Sequence, residues 1–160
     1  MISAVQFRLT KKAHQININY GAIKEALGDR KRTPQNIAHA VIGIRQSKLP
    51  NPAELGNSGS FFKNPVITKI QYNQLLTTHP NLPSYPQENG AVKVPAGWLI
   101  DQLGFKGKRI GDAGVHKKQA LVLVNHGTAS GQEILALAQK IQAAVKEKFD
   151  IALEAEVNIL

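Results

Sequence analysis

The strongest constraint on the fold is an amphipathic helix near the C-terminus that is followed at once by an alternating segment. Ser130 and Glu133 have the spacing of a capping box, in which a hydroxyl and a carboxylate satisfy free N–H groups at a helix start. An apolar stripe then runs at helical spacing to about Lys148: Ile134, Leu137, Ile141, Ala144 and Val145. Residues 151–160 alternate between apolar and polar side chains, which predicts a strand with one buried face.

The other apolar patterns predict short helices and strands in irregular order. The strand candidates are residues 5–9, with 16–18 as a partner strand, 92–94 and 121–124. The helix candidates are residues 21–27, 34–47, 68–76 and 96–103. Thr33 before Pro34 marks one helix start, because a hydroxyl caps free N–H groups and proline fits the first helical position. Without a regular βαβ series, this order favours an α+β fold in which helices pack against a mixed sheet.

The charge balance indicates an anionic partner. The 160 residues carry 20 Lys and Arg against 11 Asp and Glu, a formal net charge of +9 at pH 7. Such an excess favours nucleic acid, an anionic lipid or a phosphorylated small molecule. The basic residues are scattered apart from one cluster at 29–32, and the aromatic residues that could stack on bases make up only 6%. A sugar nucleotide or dinucleotide explains the charge as well, and a basic nucleotide- or RNA-binding module without catalysis is the alternative.

Several kinds of site and segment are missing from the sequence. With no cysteine, the chain can form neither a disulfide framework nor a cysteine-ligated zinc site. The five histidines do not have the spacing of metal ligands, so we expect no metal. The sequence contains no signal-peptide pattern and no run of eighteen apolar residues. We therefore expect a cytoplasmic protein that does not contact a membrane.

A glycine-rich segment at residues 56–65 is the most informative motif. Two intervening residues separate Gly56 from Gly59, which lets backbone N–H groups turn towards an anion and present Ser60 at the end of the loop. An ordinary glycine-rich turn before a strand explains the segment equally well. No Gly-Lys-Ser or Gly-Lys-Thr follows as in a phosphate-binding P-loop, and the glycines of residues 104–111 lack the spacing of a dinucleotide fingerprint.

Charged residues on predicted strands are a second group of candidates. Glu154 and Glu156 lie two residues apart, so both point to the face opposite the apolar residues of the last strand. From this spacing alone, a solvated sheet edge explains them better than a catalytic site. Lys48 at a predicted helix end and Lys93 in a predicted strand could each neutralise a phosphate or be an ordinary surface charge.

Six segments, in order and in register from about residue 36 to the C-terminus, together resemble one family. They are SKLPNP at 47–52, GNSGSFFKNP at 56–65, YPQ at 85–87, AGWLIDQ at 96–102, GVH at 114–116 with QAL at 119–121, and LEAEV at 153–157. The sequence is similar to the C-terminal, substrate-binding half of UDP-N-acetylenolpyruvoylglucosamine reductases (UDP-N-acetylmuramate dehydrogenases), of the type found in many Gram-negative bacteria.

The resemblance implies a bacterial flavoenzyme of peptidoglycan synthesis. NADPH reduces FAD, UDP-N-acetylglucosamine enolpyruvate then takes its place, and a hydride passes from the flavin to the enolpyruvyl methylene carbon. It implies that residues 1–45 are a remnant of a preceding FAD-binding domain, a strand plus a helix, and that FAD is held mainly by parts outside this sequence. Residues 46–160 are then the substrate-binding domain, with the catalytic glutamate on the strand at 151–160. The first strand, without its parent sheet, is expected to support self-association of the fragment.

Matching positions imply the roles of individual residues. Ser60 corresponds to the proton donor, and Glu156 to the acidic residue that acts on the enol-like intermediate. The UDP-sugar is implied to be held by Lys48, Asn64, Tyr85, Lys93 and Gln119. Arg45 is implied to lie near the flavin, while Asn158 stands where some relatives have arginine. These residue types suit the chemistry, since lysines balance a pyrophosphate, amides bond uracil or amide groups, and a tyrosine covers a ring.

Overall fold

The computed structural model describes residues 2–19 and 21–159. The chain divides into two compact units, Met1–Lys48 and Leu49–Leu160. The assignment of residues 1–45 to a flavin-binding domain stays a prediction, because compactness does not show which domain a unit comes from. Within the described residues, no helix combines the length and the apolar character needed to cross a membrane.

Two helices form the first unit: α1 (Ile23–Leu27) and α2 (Pro34–Lys48). The predicted start of α2 is confirmed, since the hydroxyl of Thr33 accepts a hydrogen bond from the Asn36 N–H at 3.2 Å. The helices bury a small apolar cluster: Ile18, Ile23, Leu27 and Ala40. This cluster is the only core that the described part of the first unit contains.

The strand predicted at residues 5–9 is wrong for this chain. Residues 2–19 contain no strand, and the partner strand at 16–18 is also absent. The side chains of Val5, Phe7 and Leu9 are 64%, 75% and 82% exposed. An alternating segment becomes a strand only where a neighbour supplies backbone hydrogen bonds and an apolar face, and the described residues supply neither.

The second unit contains two antiparallel sheets. The larger has the order β1-β7-β6-β5 and is built from β1 (Gly56–Ser60), β5 (Arg109–Ile110), β6 (Ala113–Val115) and β7 (Val122–Asn125). The smaller has the order β2-β4-β3 and is built from β2 (Val66–Ile67), β3 (Tyr85–Pro86) and β4 (Val92–Lys93). Every strand pair among the described residues is antiparallel. The predicted α+β class is confirmed.

Three helices complete the second unit: α3 (Lys69–Thr78), α4 (Ala96–Gln102) and α5 (Gly131–Phe149). Both hydrogen bonds of the predicted capping box between Ser130 and Glu133 are present at the start of α5. The buried face of α5 consists of Leu137, Ala138, Ile141, Val145 and Phe149. These side chains share one core with the two sheets and with Leu99 and Ile100 of α4. The core fixes α5 and α4 around the strands that carry the candidate site.

The strand predicted at residues 151–160 is reduced to one antiparallel bridge, between Ala155 and Phe62, and Leu160 lies outside the described residues. Two backbone hydrogen bonds flank the bridge: Lys63 N–H to the Glu154 carbonyl at 2.9 Å, and Glu156 N–H to the Phe61 carbonyl at 2.8 Å. We call this pairing of residues 61–63 with 154–156 the C-terminal ribbon. The predicted alternation is present, since Ile151 and Leu153 are buried. Residues 61–63, with which this segment pairs, are too few to support a longer strand.

Asp112 ties the turn before α5 to the hairpin of β5 and β6. Its carboxylate accepts hydrogen bonds from the Thr128 N–H at 2.8 Å and from Arg109 Nη2 at 2.5 Å. The bond from the Thr128 backbone, followed by the one from Arg109, lowers the pKa of Asp112 below its usual 3.8. A carboxyl with a lowered pKa in the folded state stabilises the fold above the unfolded-state pKa, and this contribution is lost as the pH falls through the folded-state pKa.

We therefore expect the melting temperature to fall on acidification below about pH 4, because protonation weakens the hydrogen bonds that the Asp112 carboxylate accepts. Asp112→Asn should be less stable than the unsubstituted chain at neutral pH, and its melting temperature should change less between about pH 5 and pH 3. Thermal unfolding of both proteins, followed by circular dichroism across this range, checks the prediction. Parallel pH profiles would contradict it.

Candidate active site

The C-terminal ribbon brings Ser60 and Glu156 close together. Ser60 is the last residue of β1 and is in register with Val122 of β7. The next residue, Phe61, accepts the Glu156 N–H on its carbonyl at 2.8 Å. The backbone of Glu156 is therefore bonded one residue away from Ser60, although the two are far apart in the sequence. Both residues are exposed, so each side chain is open to a ligand.

The two glutamates of the ribbon differ in their partners. The Oε2 atom of Glu154 lies 3.1 Å from Lys63 Nζ in an exposed ion pair. The carboxylate of Glu156 has no hydrogen-bond or ion-pair partner among the described residues. Glu156 is therefore free to meet a ligand, whereas Glu154 is balanced by a lysine. The spacing of the two glutamates in the sequence does not show this difference in partners.

The glycine-rich segment is an edge strand, which differs from both the anion-binding loop and the turn considered for it. The register of β1 against β7 shifts between Asn57 and Ser60, as in a β-bulge. Gly59 has a φ of +78°, in the region that favours glycine, and its N–H donates to Asn57 Oδ1 at 3.1 Å. Bulges redirect the side chains that follow them, so this one sets the direction of Ser60.

Lys93 lies between Val66 and Tyr85 on the smaller sheet. Its Cα is in register with Val66 of β2 on one side and with Tyr85 of β3 on the other. Residues directly opposite each other in antiparallel strands point to the same face, so these three side chains form a row. Val66 and Tyr85 are 53% and 56% exposed, while Ile67 and Val92 on the opposite face are buried. An ammonium beside a phenol on an open face suits an anionic ligand.

Asn64 and Gln119 have their amide oxygens turned towards backbone N–H groups. Asn64 Oδ1 accepts a hydrogen bond at 2.9 Å from the N–H of Ala96, the first residue of α4. Gln119 Oε1 accepts a longer one, at 3.4 Å, from the Leu121 N–H. An N–H group can only donate, so the oxygen of each amide faces it and the NH₂ group points elsewhere. Both side chains therefore offer hydrogen-bond donors to a ligand.

Comparison with known proteins identifies the family. The family model described as the C-terminal domain of UDP-N-acetylenolpyruvoylglucosamine reductase matches residues 51–160. The chain belongs to this reductase family. A protein named UDP-N-acetylenolpyruvoylglucosamine reductase from Chromobacterium violaceum is 55% identical, over 100% of this chain and 48% of the relative. Its namesake from Flavobacterium johnsoniae is 53% identical with the same coverage.

The reductase relatives are longer than this chain, which spans about half the length of the curated relatives it matches. Among solved structures, the reductase from Thermus caldophilus aligns with 81% of this chain and 36% of that chain, with a TM-score of 0.46 and 24% identity.

Two of the residues that the reductase resemblance singles out belong to the first unit. Arg45 and Lys48 lie in the last turn of α2, and both are exposed. The second unit holds the other six: Ser60, Asn64, Tyr85, Lys93, Gln119 and Glu156. The placement of Arg45 near the flavin and of Lys48 on the sugar nucleotide stays a prediction.

His116 is one of the five histidines for which the sequence indicates no metal role. Its Nδ1 atom is buried and has no hydrogen-bond partner among the described residues, and its backbone N–H donates to the Val122 carbonyl at 2.9 Å. Burial, followed by the charge of Lys117, lowers the pKa of His116 and favours the neutral ring. The segment GVH at 114–116 contributes to the resemblance, but the unpartnered ring nitrogen depends on packing and carries no signal in the sequence.

The glycines of residues 104–111 do not form a flavin cradle. Gly104, Gly107 and Gly111 all have positive φ and lie in the loop and hairpin that follow α4. A dinucleotide site of the fingerprint type needs a strand that turns directly into a helix, so that the pyrophosphate meets the helix N-terminus. The described residues do not fit FAD in this way.

Proposed function

We propose that this chain supplies the substrate site and the proton donor of an FAD-dependent, NADPH-using reductase in the bacterial cytoplasm. The reductase converts UDP-N-acetylglucosamine enolpyruvate to UDP-N-acetylmuramate for peptidoglycan synthesis. The observation that carries this proposal is the hydrogen bond that ties the backbone of the unpartnered Glu156 to Phe61, the residue that follows Ser60. Relatives that bear the reductase name, at 55% and 53% identity over the whole chain, support it.

In this proposal, four side chains of the second unit hold the UDP-sugar: Asn64, Tyr85, Lys93 and Gln119. The Lys93 ammonium offsets the charge of the pyrophosphate, and the Tyr85 phenol beside it adds a donor. The two amide NH₂ groups, held in place through their oxygens, bond acceptor oxygens of the ligand. Lys48 belongs to the first unit, and the role in holding the UDP-sugar that the resemblance implies for it stays a prediction.

Ser60 and Glu156 act after hydride transfer. A flavin bound outside this chain would supply the hydride that reaches the methylene carbon of the enolpyruvyl group. The electron pair of the double bond then moves to the neighbouring carbon, beside the carboxylate. This shift of electrons gives an enol-like species, and Glu156 is proposed to act on it. Ser60 then donates its hydroxyl proton to the carbon beside the carboxylate. A serine hydroxyl is a weak acid, so it needs this positioned, polar surrounding to donate.

The first unit is proposed to be the end of an FAD-binding domain, with Arg45 near the flavin. The segment with the exposed apolar side chains of Val5, Phe7 and Leu9 would pair with the sheet of that domain.

In the free chain, the segment that contains Val5, Phe7 and Leu9 is proposed to pair with the same segment of a second copy. Sedimentation velocity should then show a dimer whose fraction rises with protein concentration, and Phe7→Lys should lower that fraction. A monomer at every concentration would rule out this pairing.

Titration of the 160-residue chain with UDP-N-acetylglucosamine, followed by NMR, tests the substrate site. We expect saturable shifts at the amides of Tyr85, Lys93 and Asn64, weakened by Lys93→Ala and unchanged by Lys106→Ala. Lys106 is the matched control, because it pairs with Asp101 outside the site. Tight RNA binding with a steep salt dependence and no shifts with the sugar nucleotide would favour the alternative of a basic RNA-binding module.

The isolated chain should be colourless and inactive. The described residues offer no fingerprint-type cradle for a dinucleotide, and a cofactor that carries the chemistry must be held by the protein. Absorbance between about 350 and 500 nm and NADPH oxidation in the presence of the enolpyruvyl sugar nucleotide are the measurements. A flavin band in the purified chain, or substrate-dependent NADPH oxidation, would contradict the proposal that FAD is bound outside this chain.

A further inference from the structure

The segment that carries Glu156 belongs to neither sheet. On one side it is held by the C-terminal ribbon, where the Glu154 carbonyl and the Glu156 N–H bond residues 61–63. In an antiparallel pair the backbone groups of alternate residues point to opposite sides. The groups of Leu153 and Ala155 therefore face away from the ribbon, and no strand of the described chain pairs with them there.

Gln142 of α5 occupies this open side. Its Nε2 atom donates to the Leu153 carbonyl at 2.8 Å, and the residue is half-buried. Its neighbour Ile141 is fully buried, so the position of Gln142 is set by the packing of α5. A buried carbonyl that loses its donor is costly, and a short segment with one bridge has few other bonds to compensate.

We propose that Gln142 is a positioning residue for Glu156. By holding the Leu153 carbonyl, it fixes where the segment runs and so keeps the backbone of Glu156 paired with Phe61, the residue that follows Ser60. Gln142 acts through the backbone and does not contact the substrate. The inference rests on the proposed function in one respect, namely that Glu156 acts on the intermediate.

Hydrogen exchange on the 160-residue chain tests the positioning itself. Gln142→Met keeps the length of the side chain but removes the donor, and we expect the amides of Glu156 and Lys63 to exchange about tenfold faster. The amides of β7 should be unchanged. Gln139→Met is the matched control, since Gln139 lies on the exposed face of the same helix with no partner among the described residues. Equal exchange at Glu156 in both variants would overturn the proposal.

A chimera tests the consequence for catalysis. This chain replaces the matching half of the Chromobacterium violaceum reductase, and stopped-flow absorbance follows each half-reaction. Gln142→Met should slow flavin reoxidation by saturating enolpyruvyl substrate about tenfold, while the KM and the reduction by NADPH stay within about twofold. A general loss of structure would instead slow both half-reactions. Reoxidation as fast as in Gln139→Met would overturn the proposal.

The hydrogen-exchange and chimera experiments distinguish a failure of the role of Gln142 from a failure of the proposed function. A chimera with the unsubstituted chain that is reduced by NADPH but is not reoxidised by substrate would count against the proposed function. The exchange measurement needs no flavin or substrate, so it decides the role of Gln142 in that case too.

Discussion

Ser60→Ala should slow the second half-reaction by about 10²–10⁴-fold and leave the reduction of the flavin by NADPH nearly unchanged. Protonation after hydride transfer needs a donor at this position, whereas flavin reduction does not. A loss of this size corresponds to about 3–5 kcal/mol at the transition state. The measurement requires the chain joined to a flavin-binding half, with each half-reaction followed by flavin absorbance.

Two further variants make the Ser60 prediction sharper. Ser60→Cys keeps a proton donor, and one of lower pKa, so it should be less damaging than alanine. Ser58→Ala is the matched control, because Ser58 is exposed on the same strand two residues before the proposed donor. Reoxidation of Ser60→Ala at the unsubstituted rate, with UDP-N-acetylmuramate as product, would make Ser60 a strand residue without a catalytic role.

Glu156→Gln should slow the same half-reaction by at least about 10²-fold, while Glu154→Gln should stay within about fivefold of the unsubstituted rate. The first change removes a carboxyl group that has no partner in the described structure and is free for the intermediate. The second removes an exposed ion pair with Lys63, and such pairs contribute about 0–1 kcal/mol.

The pair of glutamate variants is measured under the conditions used for Ser60. Both substitutions are isosteric and lie on one segment, and only Glu154→Gln removes an ion pair, so a folding effect would be expected in Glu154→Gln first. Comparable losses in both variants would contradict the distinction that the structure draws between the two carboxylates.

Three helices, α2, α3 and α5, begin at start signals that are local in the sequence. Thr33 caps α2, and Thr68 caps α3 by accepting the Gln71 N–H at 3.1 Å. The capping box at Ser130 is also encoded within four consecutive residues. A side chain that satisfies a free N–H group three residues away needs no distant partner, so the sequence pattern and the structure agree.

The strands are harder to predict than the helices, because a strand forms only beside a pairing partner and the local sequence does not identify that partner. Residues 5–9 alternate well but have no partner, and residues 151–160 find a partner only at Phe62. Conversely, β5 and β6 were not predicted. They are two and three residues long and contain little alternation, yet they pair through Arg109 and Gly114.

The residues of the candidate site come from the resemblance and stay a prediction, and their geometry could not be predicted from the sequence. The resemblance pointed to Tyr85 and Lys93, but the antiparallel register that puts them side by side with Val66 is visible only in the fold. The same holds for Asn64, whose orientation depends on the N–H of Ala96 in a helix 32 residues further on. Cross-strand register and cap contacts of this kind are not encoded by local spacing.

The fixed amides give the site a direction. Asn64 and Gln119 present NH₂ groups and Lys93 presents an ammonium, so this stretch of the surface attracts negative charge. The carboxylate of Glu156 instead repels negative charge. We therefore expect the phosphate charge of a ligand to favour the neighbourhood of Lys93 over that of Glu156. An inhibitor without such a separation of charge would gain nothing from this difference.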